Sequence, residues 1–162
     1  VKDVFIFQCY TGLAFIDVYN LTENEIQLAF DDQYWIRTER VKTGEAVNVP
    51  LLDIPMAIIE KYKKKKKPNN GRLLPVSSNQ KMNEFLKEIA AICNIKKNLS
   101  THLARHSFAT TIALANGVPL ESVSKMLGHR SIKTTQIYAK VLDTKVSNDM
   151  ANLGLRLKQI RK

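Results

Sequence analysis

The segment "THLARHSFAT" (residues 101–110), read with "LGHRS" (127–131) and "TTQIYAKV" (134–141), holds all three histidines of the chain, an arginine flanked by two of them, and a tyrosine nine residues after the last. Helix punctuation surrounds these residues. "STHLARHSFATTIALANG" opens on a Ser/Thr cap and closes on Asn-Gly, "PLESVSKMLG" starts at a proline and stops at Gly128, and Ser131 is placed to cap "SIKTTQIYAKV". The spacing puts His102 and Arg105 on one face of the first helix, in its first turn, where free N–H groups and the helix dipole favour an anion. His129 falls in the short turn between the next two helices, and Tyr138 about two turns into the last. Taken singly, each has an ordinary explanation: a cap or surface role for His102 and Arg105, a C-terminal cap for His129, core packing for Tyr138. Taken together, they are the pieces needed to hold a phosphate and attack it.

Outward from this region, the rest of the chain predicts a mainly helical fold with one small antiparallel β-sheet. "VKDVFIFQCYTG" has helical spacing and ends at Gly12, and "FIDVYNLTENEI" continues as a short helix. "IQLAF", "YWIRTERV" and "EAVNVPL" are short β-rich runs that predict two or three strands, with "KTGE" as a hairpin turn in which Gly44 takes positive φ. "DIPMAIIEKYKK" reads as a helix with Asp53 as its cap and Pro55 in its first turn. The run Lys63 to Lys67 with "PNNG" reads as an exposed loop. "NQKMNEFLKEIAAICNI" is an amphipathic helix, and "TKVSNDMANLGLRLKQIRK" an amphipathic tail.

A length of 162 residues suits one domain with a real core. No apolar run approaches the roughly 18 residues that span a bilayer. Cys9 and Cys93 fit no metal-ligand spacing and read as buried thiols of a reducing compartment. The net charge of +10 favours a polyanionic partner, most simply nucleic acid. The chain opens at Val1 in what reads as mid-helix sequence, so a fragment of a longer protein is expected.

The order His-x-x-Arg, then Leu-Gly-His, then a tyrosine nine residues on, resembles the signature of the tyrosine recombinases, or phage integrases. The flanks agree: "ARHSFAT", "LESVSKMLGHRSIKTTQIYAKV", "FQCYTGLAFIDVYNLT" and "RVKTGEAVNVPL". The resemblance covers nearly the whole chain, and its details look closest to integrases of conjugative transposons and related mobile elements. It implies that residues 1–162 are a recombinase catalytic domain, with a core-binding domain expected upstream. The implied function is site-specific recombination of double-stranded DNA in the bacterial cytoplasm, at the nucleoid, by a tetramer of protomers tied through their C-terminal tails, with accessory DNA-bending proteins as possible helpers. No cofactor and no metal are required.

The resemblance also assigns roles. Tyr138 would attack a backbone phosphate, form a 3′-phosphotyrosyl link and expel a 5′-hydroxyl. Arg105 and His129 would be cations aimed at the charge that gathers on the non-bridging oxygens. Because a phenol gives up its proton only near pH 10, a base is needed, and His102 takes that role by family analogy. Lys42, in the "KTG" turn where the family's catalytic lysine lies, would protonate the leaving 5′-oxygen. Its plain alternative is an exposed turn lysine. One position departs from the pattern: "TGLAF" has Ala14 where the family carries its first arginine, and Asp17 keeps the acidic position three residues on, as a brace. Arg37, Arg40 and a residue outside this chain are the candidate replacements.

Two rival readings use the same residues. In a non-catalytic helix-turn-helix module, Ser131, Lys133, Thr134 and Thr135 would face DNA bases and Tyr138 would be packing. In a metal nuclease, His102, His106 and His129 would be ligands, but no carboxylate lies near the first two.

Overall fold

The computed structural model describes residues 1–64, 71–139 and 143–160. Helices α1 (Lys2–Thr11) and α2 (Phe15–Asn20) lead through a 3-10 turn at Glu23–Glu25 into strands β1 (Ile26–Leu28), β2 (Tyr34–Glu39) and β3 (Ala46–Pro50). Helices α3 (Asp53–Lys64), α4 (Asn79–Ile92), α5 (Thr101–Ser107), α6 (Leu120–Met126), α7 (Lys133–Gln136) and α8 (Asp143–Ile160) follow. The expected class, mainly α with a small antiparallel sheet, is the observed one. Three strands form, in the order β1-β2-β3, all antiparallel.

Period-two alternation decides which face of the sheet is covered. Ile36 pairs with Val49, and all of Ile36, Val47 and Val49 are buried, while the pair Arg37 and Asn48 stands exposed on the other face. The inner face joins Val4, Phe7, Leu13, Val18, Leu21, Ile59 and Leu74 in the main core. A second cluster, built from Phe108, Ala109, Ala113, Val123 and Leu127, includes Tyr138. Helix α1 packs on α3 and α5, and α6 packs on β3, so the second cluster closes over the edge of the first.

The segment 101–117 departs from a plain helix. Ser100 caps α5, its Oγ accepting the Leu103 N–H at 3.1 Å. After Ser107 the chain widens into a π-helical stretch, Phe108–Ala113, and tightens into a 3-10 turn before Gly117. Phe108 thereby lies over Gly12, whose φ is +69° and whose absent Cβ would stand 2.3 Å from the Phe108 ring. Gly12→Ala is expected to cost about 3 kcal/mol, roughly 1–2 from the left-handed backbone and the rest from displacing the ring. Thermal unfolding checks it: a fall in Tm of about 6–12 °C is expected for a chain of this length.

Some expectations are corrected. Cys93 follows the end of α4 and is exposed, and Cys9 is only partly buried, its thiol pushed up to about 11 by that burial. The helix expected to carry Tyr138 is only the four residues of α7, so Tyr138 lies in the turn beyond it. Residues 65–70, which include most of the lysine run and "PNN", lie outside the described residues, as do 140–142 and 161–162. Among the described residues no helix is long and apolar enough to cross a membrane.

Candidate active site

Arg105 is the centre of the site, and it is held from three sides. Helix α5 carries it into the seam between α1 and α6, where it is buried at 5% exposure. One terminal nitrogen, Nη1, donates to the Gly12 carbonyl at 2.7 Å. The other, Nη2, donates to the Leu127 carbonyl at 2.6 Å and lies 3.1 Å from His129 Nε2. The open C-terminal ends of α1 and α6 thus present their last carbonyls to one guanidinium. Its position at the close of α5, bonded to other elements, replaces the first-turn placement that the spacing predicts.

His129 is oriented by the same contacts. An arginine is donor only, so Nε2 of His129 accepts. In the neutral ring the proton then sits on Nδ1, which donates to Thr135 Oγ1 at 2.8 Å. Burial first, then the charges of Arg105 and Arg40, hold the imidazole down to about 4 against an ordinary 6.5. This corrects the expectation of a fixed cation: with the imidazole held down to about 4, His129 is neutral at pH 7. Because the folded pKa is depressed, the unfolded chain takes up the proton first. The stability His129 contributes is complete above pH 6.5 and is lost as pH falls from 6.5 toward 4. Urea unfolding at steps between pH 7.5 and 5 is expected to show a decline that is shallower in His129→Gln.

Tyr138 closes the cluster. It is 7% exposed, its ring stacked on His129 at 6.4 Å and 13° and met edge-on by His106 at 5.2 Å. Burial first, and then the Arg40 charge, press Arg105 down to about 10, and the Tyr138 phenol and the Asp17 carboxylate oppose that drop. Arg105 stays charged at neutral pH, with the phenol within its reach.

The other predicted residues fall differently. Asp17 is a brace as expected: it is buried on α2, and its Oδ1 accepts the Val41 N–H at 3.0 Å, tying α2 to the β2–β3 turn. Gly44 has φ +67° in that turn, where Gly44 N–H bonds the Arg40 carbonyl at 2.8 Å. Lys42 stands exposed at the tip, and His102 is exposed on α5. The structure brings neither into contact with Tyr138; the histidine rings against the phenol ring are those of His129 and His106. Arg37 is exposed on β2, away from the buried cluster, and Ala14 caps the start of α2. The helix-turn-helix reading loses a base-reading residue here. Thr135 is fully buried against His129, and a four-residue α7 is too short for a recognition helix. Among the described residues, no three His, Cys, Asp or Glu side chains group closely enough to hold a metal ion.

The model of the phage integrase family matches residues 2–145. The chain belongs to that family. It is 32% identical over 158 residues to tyrosine recombinase XerD of Halalkalibacterium halodurans, covering 90% of this chain and 51% of that protein. It is 32% identical over 139 residues to a tyrosine recombinase of Thermosipho africanus, covering 83% and 47%. This integrase-family chain therefore spans about half the length of the curated relatives it matches. Its fold is that of XerA recombinase (TM-score 0.71, 20% identity, 93% of this chain and 62% of that one). The Tn1549 transposon integrase solved with circular intermediate DNA has it too (TM-score 0.66, 16% identity, 93% and 59%).

Proposed function

We propose that this integrase-family chain is the catalytic part of a site-specific DNA recombinase that breaks and rejoins DNA through Tyr138. The observation that carries the reading is the convergence of buried Arg105 and Tyr138 with half-buried His129, from three separate segments, into one cluster. Tyr138 Oη would bond to phosphorus as the bond from phosphorus to the 5′-oxygen breaks, leaving a 3′-phosphotyrosyl link and a free 5′-hydroxyl. Return attack by a 5′-hydroxyl, from the same strand or another, reverses the exchange. Bond energy is conserved at each step, so the cycle needs no nucleotide triphosphate. Arg105 would bind the non-bridging oxygens. A phosphate so bound would offset the two arginine charges that hold the His129 proton off, so His129 can take up a proton and donate to the same oxygens.

His102 as base and Lys42 as acid rest on the resemblance. Both side chains are exposed, one on α5 and one in the β2–β3 turn. Double-stranded DNA as partner accords with the net charge of +10 and with relatives solved in complex with DNA. Assembly with further protomers fits α8, whose Val146, Met150, Leu153 and Leu157 are all exposed, a face poised for a neighbouring copy.

The test is a covalent trap. The chain is mixed at low salt with a pool of nicked duplexes randomised around the nick, denatured, and any adduct digested and mapped by mass spectrometry. A nucleotide on the peptide containing Tyr138 is expected, formed equally well in a chelator. Duplex binding with no adduct, or an adduct on another residue, overturns the reading.

A further inference from the structure

We propose that Arg40, at the base of the β2–β3 turn, is the second fixed phosphate-binding cation of this site, filling the role that Ala14 leaves vacant. The proposal rests on the reading of Tyr138 as the nucleophile and adds a catalytic residue to it.

Three observations place Arg40 there. Its stem lies across Gly128, the residue before His129: a Cβ at Gly128 would stand 3.0 Å from both Cγ and Cδ of Arg40 and 2.6 Å from a Val47 methyl. Its guanidinium is directed at the buried carboxylate of Asp17, Nε to Oδ2 at 3.9 Å, with the arginine side chain only 15% exposed. Neither that Nε nor that Oδ2 has a hydrogen-bond partner among the described residues. An ion pair at 3.9 Å with no hydrogen bond is a loose one, so Asp17 holds Arg40 in place without using up its donors. Finally, the Arg40 charge is felt by both Arg105 and His129, in keeping with its stem lying against Gly128, the residue before His129.

Such an arrangement is costly without a ligand. Like charges are gathered in a poorly solvated seam, and two guanidiniums against one Asp17 carboxylate leave a single positive charge. A phosphodiester carries a single negative one. The repulsion between Arg40 and Arg105 is therefore relieved by the substrate class proposed above, and relieved further as charge builds on the non-bridging oxygens in the transition state. The fork geometry matters as well as the charge, because an arginine can grip two oxygens and a lysine cannot.

A purely structural role, with Arg40 bracing the turn through Asp17, is the competing explanation, and the experiment separates the two. Single-turnover cleavage is measured for the parent chain, Arg40→Met and Arg40→Lys, on the trapped duplex and on the same duplex with a methylphosphonate at the cleaved position. That substitution removes the charged non-bridging oxygen. Arg40→Met keeps the stem over Gly128; it is expected to lose on the order of 10²–10³-fold on the phosphodiester and to lose less than about one-tenth of that factor on the methylphosphonate. Arg40→Lys is expected to fall between the parent and Arg40→Met on the phosphodiester. Wild-type cleavage by Arg40→Met, or an equal loss on both substrates, overturns the proposal. Should Arg40→Met unfold, the same comparison is read from Arg40→Lys, where an equal loss on both substrates overturns it. If the parent chain forms no adduct while binding DNA, the Tyr138 reading fails and this proposal with it; if the parent reacts and Arg40→Met matches it, only this proposal fails.

Discussion

Tyr138→Phe is expected to bind duplex DNA as the parent chain does and to form no covalent adduct with it. The substitution removes one oxygen, and that oxygen is the proposed nucleophile. What it leaves is the ring, which makes the packing contacts with His106 and His129. Stability should therefore change by less than about 1 kcal/mol, the range of substitutions that open no cavity. Cleavage should fall by at least about 10⁴-fold, the scale seen when a covalent nucleophile is removed. The two numbers are checked together, by thermal unfolding and by trapping on nicked duplexes. An adduct that survives in Tyr138→Phe would show that another residue attacks.

Arg105→Ala is expected to lose cleavage out of proportion to stability. Three effects compete in the fold. The Gly12 and Leu127 carbonyls lose their partner, at about 1–3 kcal/mol each for a buried group left unpaired. Against this, burial first and then the Arg40 charge hold Arg105 down to about 10, on the order of 3 kcal/mol of unfavourable surroundings for its charge, which the variant escapes. His129 is freed from one neighbouring cation, so its pKa should rise. The net loss of stability is thus expected not to exceed about 3 kcal/mol. Cleavage should fall by about 10³-fold, since a preorganised donor to the reacting oxygens is gone. Urea unfolding and single-turnover cleavage on the same preparations decide it. A cleavage loss that vanishes once the folded fraction is corrected for would make Arg105 a strut and nothing more.

Most of the fold is legible from local rules. Gly12 ends α1, Ser100 caps α5, Gly44 turns the hairpin, and alternation at Ile36, Val47 and Val49 assigns the covered face of the sheet. Each is decided by a few neighbouring residues, through a positive φ, a free N–H or a period of two. The π-helical widening after Ser107 and the shortness of α7 were not legible. The first goes with a contact between distant residues, Phe108 over Gly12.

The order of His102, Arg105, His129 and Tyr138 along the chain determined, by itself, which chemistry to expect and which family to compare. Only the tertiary structure decided which of those groups meet and in what charge state. It drew Arg105, His129 and Tyr138 together, left His102 and Lys42 exposed, and set Arg40 and His106 beside them. The reason is that identity and spacing are properties of a segment, whereas field and burial are sums over everything nearby. The His129 proton is held off by burial first, and then by Arg105 and Arg40, both distant along the chain.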